Sequence, residues 1–282
     1  MQLTPHYGSD PLLTIGGDPA DIAEPAIRQR RRLATTLAGF TDEQWEHPTR
    51  CEGWTARDVV IHLDATNVFW TQSVASGRRG EPTRFLESFD PVATPATSVA
   101  RSQELTSGEV LARFVDSTDT LVRLLESLEG PEWTAPAEAP PGHLTTSVVV
   151  HHALWDAWIH ERDILLPRSL EEVTEPDEVV ACLRYAAALG PALALARGDR
   201  RRGALRVDAT EPDTSFVVDI GHHVHVDAGP GGADATLTGR AADLADALSI
   251  RRPFDQPLPR EHSWMISGLS ETFDNETFDN EV

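Results

Sequence analysis

The fold is decided by residues 147–166, Ser-Val-Val-Val-His-His-Ala-Leu-Trp-Asp-Ala-Trp-Ile-His-Glu-Arg-Asp-Ile-Leu-Leu. This stretch contains no Gly or Pro, and its apolar residues recur throughout, which predicts a long and largely buried helix. His152, Asp156 and His160 follow one another at intervals of four residues and therefore share one helix face. Burying imidazoles and a carboxylate is costly unless a partner satisfies them, and a divalent metal ion is one such partner.

Composition limits the classes of function. The chain has 282 residues and a formal net charge of −21, which argues against a nucleic-acid partner because a phosphate backbone requires a basic surface. Its 24 basic residues are all Arg, so a lysine Schiff-base mechanism is excluded. Two cysteines, Cys51 and Cys182, are too few for a disulfide framework and fit a reducing cytoplasm. We expect a cytoplasmic protein with no signal peptide and no membrane span, since the apolar segment 179–196 is interrupted by Arg184 and Gly190-Pro191.

The pattern along the chain predicts an α+β protein in four parts. Residues 1–18 are expected to form an extended arm, residues 19–198 a helical bundle, residues 199–266 a small α+β domain, and residues 267–282 an acidic, disordered tail. In the bundle, helices are predicted at 19–39, 56–76, 107–128 and in the central stretch, followed by a further helix over 176–197 that is kinked or broken at Gly190-Pro191. Residues 77–105 and 131–142 are expected to be a long connection and a linker. Strands are predicted at 204–210, 215–220, 222–227 and 233–238, before a helix that ends near Ile250.

The central helix supplies only part of a metal site. Asp156 and His160 stand one turn apart, which allows them to share one ion, but two ligands do not complete a coordination sphere. His62, on the amphipathic helix 56–76, is our choice for the third ligand, and His152 either replaces it or lines the pocket together with Trp155. Three protein ligands leave a position open for water or substrate, as in catalytic zinc sites.

Other polar residues receive less specific interpretations. Asp163, one turn beyond His160, is expected to orient a ligand histidine or an Arg. Cys51 is interpreted as structural rather than nucleophilic, because Glu52 would raise its thiol pKa and the sequence shows no adjacent histidine. Three histidines of the small domain are expected to be solvated at the surface: His222, His223 and His225. Four aromatic residues are expected to line a pocket or the core: Trp54, Trp70, Trp155 and Trp158.

Two motifs and the small domain resemble a known family. The first motif lies within Phe40 to Asp64, the second is Trp155-Asp-Ala-Trp-Ile-His160-Glu-Arg-Asp163, and the segment Ala233 to Arg240 with the following helix resembles the family's C-terminal domain. Together they are similar to the mycothiol-dependent maleylpyruvate isomerase family, part of the DinB-like metalloenzyme superfamily, over about residues 20–255. The residues that carry the first motif are Trp45, Pro48-Thr49, Cys51-Glu-Gly-Trp54-Thr, Arg57-Asp58 and His62-Leu63.

The resemblance implies a specific metal centre and cosubstrate. It implies a four-helix bundle with up-down-down-up connectivity and a divalent metal, usually zinc, held by His62, Asp156 and His160. It also implies mycothiol as the cosubstrate. One position departs from the family, whose usual carboxylate is Glu where this chain has Asp156. Because Asp is one methylene shorter, the ion would sit nearer the central helix or bind more weakly.

Three functions remain open at this stage. In the first, a metal-bound thiol, mycothiol by resemblance, adds to a small electrophilic substrate for isomerisation or S-transfer, with a substrate carboxylate held by Arg240, Arg251 or Arg84. In the second, the metalloenzyme needs no thiol and is a hydrolase or a cyclase of secondary metabolism. In the third, a non-catalytic binding or regulatory protein keeps the bundle. The expected partners are small molecules, and the oligomeric state is left open.

Overall fold

A computed structural model describes residues 4–88, 90, 93–170, 174–229 and 231–273. The helical region comes first, and its main helices enclose two apolar clusters, one of which continues into the sheet. Their bounds are α1 (Ala23–Ala38), α2 (Asp42–Trp45), α3 (Ala56–Arg78), α4 (Ala93–Arg101), α5 (Ser107–Glu126), α6 (Thr146–Leu165) and α7 (Pro176–Ala196). Helix α6 corresponds to the stretch 147–166, and it packs against α1, α3 and α7.

The starts of the site helices are fixed by their own side chains. Thr55 accepts from the backbone N–H of Asp58, and the Asp58 carboxylate accepts from the N–H of Thr55, which is the reciprocal cap expected at the start of α3. Thr145 caps α6 in the same position by accepting from the N–H of Val148. Every residue of α6 is buried except His151, Trp155 and Asp156, which are partly exposed. The face that carries Asp156 therefore borders an opening.

A five-stranded mixed sheet follows the helical region. Its strands are β4 (Gly203–Thr210), β5 (Thr214–Ile220), β6 (Val224–Asp227) and β7 (Ala235–Arg240), together with β1 (Leu13–Ile15), in the order β1-β6-β5-β4-β7. Helix α8 (Ala241–Leu248) follows β7 and packs against α7. The α+β fold class is confirmed, and these elements closely match the strands and helix expected for the small domain.

The N-terminal arm forms part of this sheet. Strand β1 pairs in parallel with β6, with Leu13 opposite Val224 and Ile15 opposite Val226. Leu13 is fully buried in the same core cluster as α6 and α7. Three residues are too few to show an alternating pattern, so the sequence predicted only an extended arm here.

Helix α7 is continuous at Gly190-Pro191, where the sequence predicted a kink or a break. It runs through Gly190 and Pro191, so the expectation of a break was wrong. The helix is almost wholly buried, and packing against α6 and α8 stabilises it despite the lost backbone hydrogen bond. Its length and apolar composition would suffice to cross a membrane, but 78% of its apolar window is buried inside the protein, as expected for a core helix.

The two expected connections contain regular structure. Residues 77–105 include a 3-10 turn, Phe85–Ser88, and α4, whereas 131–142 lead into a hairpin of β2 (Pro136–Ala139) and β3 (Gly142–Thr145). Glu138 of β2 is fully buried and accepts from Tyr7, Thr83 and two backbone N–H groups of the turn, so it fixes the turn to the hairpin. In the expected tail, a short helix α9 (Ser270–Phe273) is present, and residues 274–282 lie outside the described residues.

Candidate metal centre

His62, Asp156 and His160 come together between α3 and α6. The Oδ1 atom of Asp156 lies 3.7 Å from Nε2 of His62 and 3.6 Å from Nε2 of His160. The two imidazole rings are 4.9 Å apart between centroids and nearly perpendicular. One potential ligand atom from each residue lies within 4.8 Å of the other two. The structure therefore places the three sequence-predicted ligands in one cluster.

The donor set and its spacing fit a divalent metal ion. Two imidazole nitrogens and one carboxylate oxygen suit zinc, and bond lengths of about 2.0–2.1 Å at tetrahedral angles separate ligand atoms by about 3.3 Å. The observed distances of 3.6 and 3.7 Å are close to that value. The second oxygen of Asp156, Oδ2, is buried and has no hydrogen-bond partner among the described residues. A bound ion would satisfy this carboxylate, which otherwise carries the cost of an unpaired polar atom.

Asp156 is held as a carboxylate. Burial opposes its ionisation, but the neighbouring His62 and His160 outweigh burial and keep the pKa of the carboxyl group below its usual range. Its side chain is 13% exposed, so one edge of the cluster borders the opening beside α6. An ionised carboxylate at the edge of an opening is the state required for metal binding.

Asp163 orients His160 from the opposite side of the ring. Nδ1 of His160 lies 3.0 Å from Oδ2 of Asp163, while Nε2 faces Asp156. Asp163 is fully buried and also accepts from Nε of Arg50 at 2.9 Å and from Nε of Arg251 at 3.0 Å. Burial would raise its pKa, but the hydrogen bond from His160 and the two guanidinium groups lower it below the usual range. A carboxylate on the far nitrogen of a ligand histidine fixes the ring and increases its basicity.

The small domain reaches this centre through α8 and the residues after it. Asp246 of α8 pairs with Arg50 at 3.1 Å and with Arg162 of α6 at 2.9 Å. The Trp155 indole donates to the hydroxyl of Ser249 at 2.8 Å. Arg251 follows in sequence and contacts Asp163. Helix α8 therefore closes one side of the centre and joins the two parts of the chain by buried ion pairs.

Cys51 lies in the same network. Its Sγ atom is 3.6 Å from Nδ1 of His160 and donates to Oδ2 of Asp163 at 3.2 Å. Burial, together with the charge of Asp163, raises the pKa of this thiol to about 12. The sequence showed no adjacent histidine, and the fold brings His160 beside Cys51. A protonated thiol is a poor nucleophile, so a structural role for Cys51 stays our prediction.

Cys51, His160 and Asp163 also satisfy the distance criterion for a metal site, with ligand atoms within 4.8 Å of one another. In this group, however, Asp163 already accepts from two arginines. The hydrogen bonds within the group explain its spacing without an ion.

His152 lies inside the bundle rather than in the ligand cluster. Nδ1 of His152 shares a hydrogen bond with the hydroxyl of Tyr185 on α7. Its ring packs against Trp70 at 4.7 Å and Trp155 at 5.2 Å between centroids. Burial lowers the pKa of His152 to about 4, so the ring is neutral at neutral pH. These contacts fit the lining role expected for His152 and Trp155.

The three candidate arginines for a substrate carboxylate have different surroundings. Arg251 is next to the centre through Asp163, whereas Arg240 is exposed and pairs with Glu211 at 2.7 Å. Arg84 stacks on the Tyr7 ring at 5.0 Å. Among the described contacts, Arg251 is the candidate that touches the centre. Two of the three histidines expected at the surface form hydrogen bonds there. His225 pairs with Thr14, and His222 pairs with Arg202.

Sequence reasoning missed three residues of the centre and its surroundings. Arg50 directly precedes the Cys51-Glu-Gly-Trp motif, and this position is a signal that could have identified it. Arg30 lies three residues after Ile27 and three before Leu33, and this helical spacing could have placed it on the apolar face of the helix. Asp246 carries no local signal, because its partners are distant in sequence.

The fold and the centre define a helical-bundle protein that has a candidate metal site of two histidines and one carboxylate and a small α+β domain. Residues 27–165 match the family model described as the mycothiol maleylpyruvate isomerase N-terminal domain. These residues, which include all three candidate ligands, therefore form a domain of the mycothiol maleylpyruvate isomerase family. The family expected from the motifs is confirmed.

Two crystal structures are similar to the chain over most of its length. They are those of the mycothiol-dependent maleylpyruvate isomerase and of a mutant of it, at 15% and 14% identity, each with a TM-score of 0.60. Each similarity covers 85% of this chain and 92% of the other. At this identity the likeness shows the fold. A comparison with curated proteins gave no match.

Proposed function

We propose that this protein is a divalent-metal-dependent enzyme that uses a low-molecular-weight thiol, mycothiol, either to isomerise a small electrophilic substrate or for S-transfer, in which the thiol stays attached to the substrate. The observation that carries the proposal is the cluster of His62, Asp156 and His160, with a buried carboxylate oxygen that has no partner among the described residues. Membership of the family and the similar fold of the mycothiol-dependent maleylpyruvate isomerase support the choice of thiol chemistry.

The chain's own residues hold and orient the centre. Asp163 fixes the His160 ring so that Nε2 points toward Asp156. Asp156 borders the opening, with Trp155 beside it on α6, and the Trp54 ring lies 5.6 Å from that of His62. These partly exposed aromatic rings would reduce the access of water to the centre. A divalent ion bound here would lower the pKa of a coordinated thiol and stabilise it as the thiolate nucleophile.

Charge around the centre favours an anionic substrate. Four arginines, Arg30, Arg50, Arg162 and Arg251, surround three carboxylates, Asp156, Asp163 and Asp246. A divalent ion adds two further positive charges, so the centre is cationic although the whole chain carries −21. Such a local field attracts a thiolate together with a substrate that bears a carboxylate.

Cobalt substitution tests the proposal. The purified protein would be loaded with Co²⁺ and titrated with mycothiol while its visible spectrum is recorded, with zinc-loaded protein for thermal melting in parallel. We expect a spectral change and a higher Tm on adding the thiol, because it enters the open coordination position. The His160→Ala protein is the control and is expected to give neither response. A cobalt protein that does not respond to mycothiol would favour a thiol-independent hydrolase or cyclase, and a protein that binds no metal would contradict both.

A further inference from the structure

Arg30 of α1 is a buried cation with an unused donor. Its side chain lies inside the bundle, and the residue is 1% exposed. Nε donates to Oδ1 of Asn67 on α3 at 3.0 Å, and one terminal nitrogen donates to the carbonyl of Ala153 on α6 at 2.9 Å. The other terminal nitrogen, Nη1, is buried and has no partner among the described residues. Contacts with α3 and α6 thus position the guanidinium group, and they leave its Nη1 atom unpaired among the described residues.

Arg30 differs from the other arginine that is almost completely buried among the described residues. Arg162 is 6% exposed and pairs with Asp246 at 2.9 Å, and the partly exposed Arg32 pairs with Glu161 at 2.8 Å. No carboxylate of the described residues lies within ion-pair distance of Arg30, and the acidic group that acts on its charge is Asp156. Burial lowers the pKa of Arg30 to about 10, so it is still a cation at neutral pH. An uncompensated buried charge is costly, which indicates a missing anion.

The unpaired donor of Arg30 lies in the same region between the helices as the metal centre. Ala153, whose carbonyl accepts from Arg30, precedes Asp156 by three residues on α6, which is about 4.5 Å along the helix axis. Asn67 precedes Trp70 by three residues on α3, and the indole N–H of Trp70 is also buried without a partner among the described residues. Two unpaired donors and the unpaired Oδ2 of Asp156 therefore lie along the seam between α3 and α6.

We propose that Arg30 binds the carboxylate of the substrate at the inner end of the metal centre, with the Trp70 indole as a second donor. This inference rests on the proposed function, and it assigns to Arg30 the position at which the carboxylate of the substrate is held, with the electrophilic carbon toward the metal position. A water molecule could accept these hydrogen bonds, but it would not neutralise the guanidinium charge, whereas a carboxylate does both. Of the other candidates, Arg240 and Arg251 already pair with Glu211 and Asp163, and Arg84 stacks on the Tyr7 ring.

The test compares a carboxylate with its neutral isostere. Zinc-loaded protein would be titrated with propanoate and with propanamide by calorimetry, and the zinc content of each variant would be measured. Wild-type protein is expected to bind propanoate at least about tenfold more tightly than propanamide, since a charge-assisted pair is worth about 1.5–3 kcal/mol. Arg30→Met is expected to lose about tenfold or more in propanoate affinity while keeping its zinc.

Two further variants separate specific from general effects. Arg31→Met removes an exposed arginine of the same helix, one that pairs with Glu126 at 2.7 Å, and should bind propanoate as wild type does. Arg30→Lys keeps the charge and loses the planar fork, so we expect weaker propanoate binding with zinc retained, even if Arg30→Met does not fold.

Unchanged propanoate affinity in either folded Arg30 variant, or no preference of the wild type for propanoate over propanamide, would overturn the assignment. Failure of the proposed function itself would be recognised separately, as a wild-type protein that lacks zinc or does not respond to mycothiol, and neither measurement involves Arg30.

Discussion

Nδ1 of His160 lies 3.0 Å from Oδ2 of Asp163, on the side of the ring opposite the nitrogen that faces Asp156. This one contact sets the tautomer of a candidate ligand and joins it to Arg50 and Arg251. The geometry of the metal centre is thereby linked to residues that follow α8. The small domain contributes to the centre although its strands lie elsewhere.

Replacing Asp163 should weaken metal binding without removing a ligand. In Asp163→Asn the ring of His160 loses its charged acceptor, and we expect the zinc Kd to rise by about 10- to 100-fold. Competition with a chromogenic chelator measures this value. Asp243→Asn, on the surface of α8, is the control and should leave the zinc Kd unchanged. A zinc affinity of Asp163→Asn equal to that of the wild type would show that the contact does not support the ligand.

The charge of Asp156, rather than its length, should decide metal retention. Asp156→Asn removes the negative charge and is expected to abolish stable zinc binding, whereas Asp156→Glu restores the carboxylate usual in the family and should keep about one equivalent. The extra methylene can be accommodated because Asp156 borders an opening. Metal analysis after gel filtration is the measurement. The reverse pattern, zinc in the Asn variant and none in the Glu variant, would contradict this assignment.

Asp246 should be a strong contributor to stability. Its side chain is 4% exposed and contacts both Arg50 and Arg162, so Asp246→Ala leaves cationic groups buried without this partner. We expect the free energy of unfolding of the metal-free protein to fall by about 3 kcal/mol. Urea denaturation measures the change.

A matched control lies on the same helix. Asp243 pairs with Arg252, and both side chains are about one-third exposed, so Asp243→Ala should cost less than about 1 kcal/mol. Equal effects of the two substitutions would mean that the buried network around Asp246 does not stabilise the joined domains.

His152 should make the protein less stable in acid. Burial lowers its folded pKa to about 4 from 6.5, so the unfolded chain binds a proton that the folded chain does not between these values. Stability therefore rises with pH across this window, and about 3 kcal/mol present above pH 6.5 is lost as the pH falls toward 4.

The comparison of wild-type protein with His152→Gln isolates this effect. Urea unfolding of both, after metal removal with a chelator, should show a shallower pH dependence between pH 7 and pH 4.5 for the variant. Parallel curves for the two proteins would indicate that His152 does not titrate as the structure implies.

The sequence predicted those parts of the fold that have a long period or a strong motif. The helix containing Asp156 and His160 was predicted at 147–166 and is found at Thr146–Leu165, because twenty periodic residues without a breaker leave little choice. The motif around Trp54 was needed to assign His62 as a ligand, because His62 is far from α6 in sequence and no local pattern indicates their contact. Strand β1 was missed because three residues show no period, and its pairing with β6 is a tertiary event.

The interior of the site could be predicted only in part. In sequence, Arg30 resembles its neighbours Arg28, Arg31 and Arg32, and only its position between Ile27 and Leu33 marks an inward face. The pairing of Asp246 with Arg50 spans 196 residues, and no local pattern can encode which partner such a carboxylate finds. Cys51 was expected to lack a histidine neighbour because His160 is brought to it only by folding.

The most direct test of the account is the metal content of the purified protein beside its ligand variants. Protein expressed with ample zinc should contain about one equivalent of metal, and His62→Ala and His160→Ala should each lose it while keeping the circular dichroism of the folded chain. His223→Ala, a surface histidine of the small domain, should keep the metal. A wild-type protein that is free of metal after zinc-replete expression, or ligand variants that retain a full equivalent, would contradict the central claim.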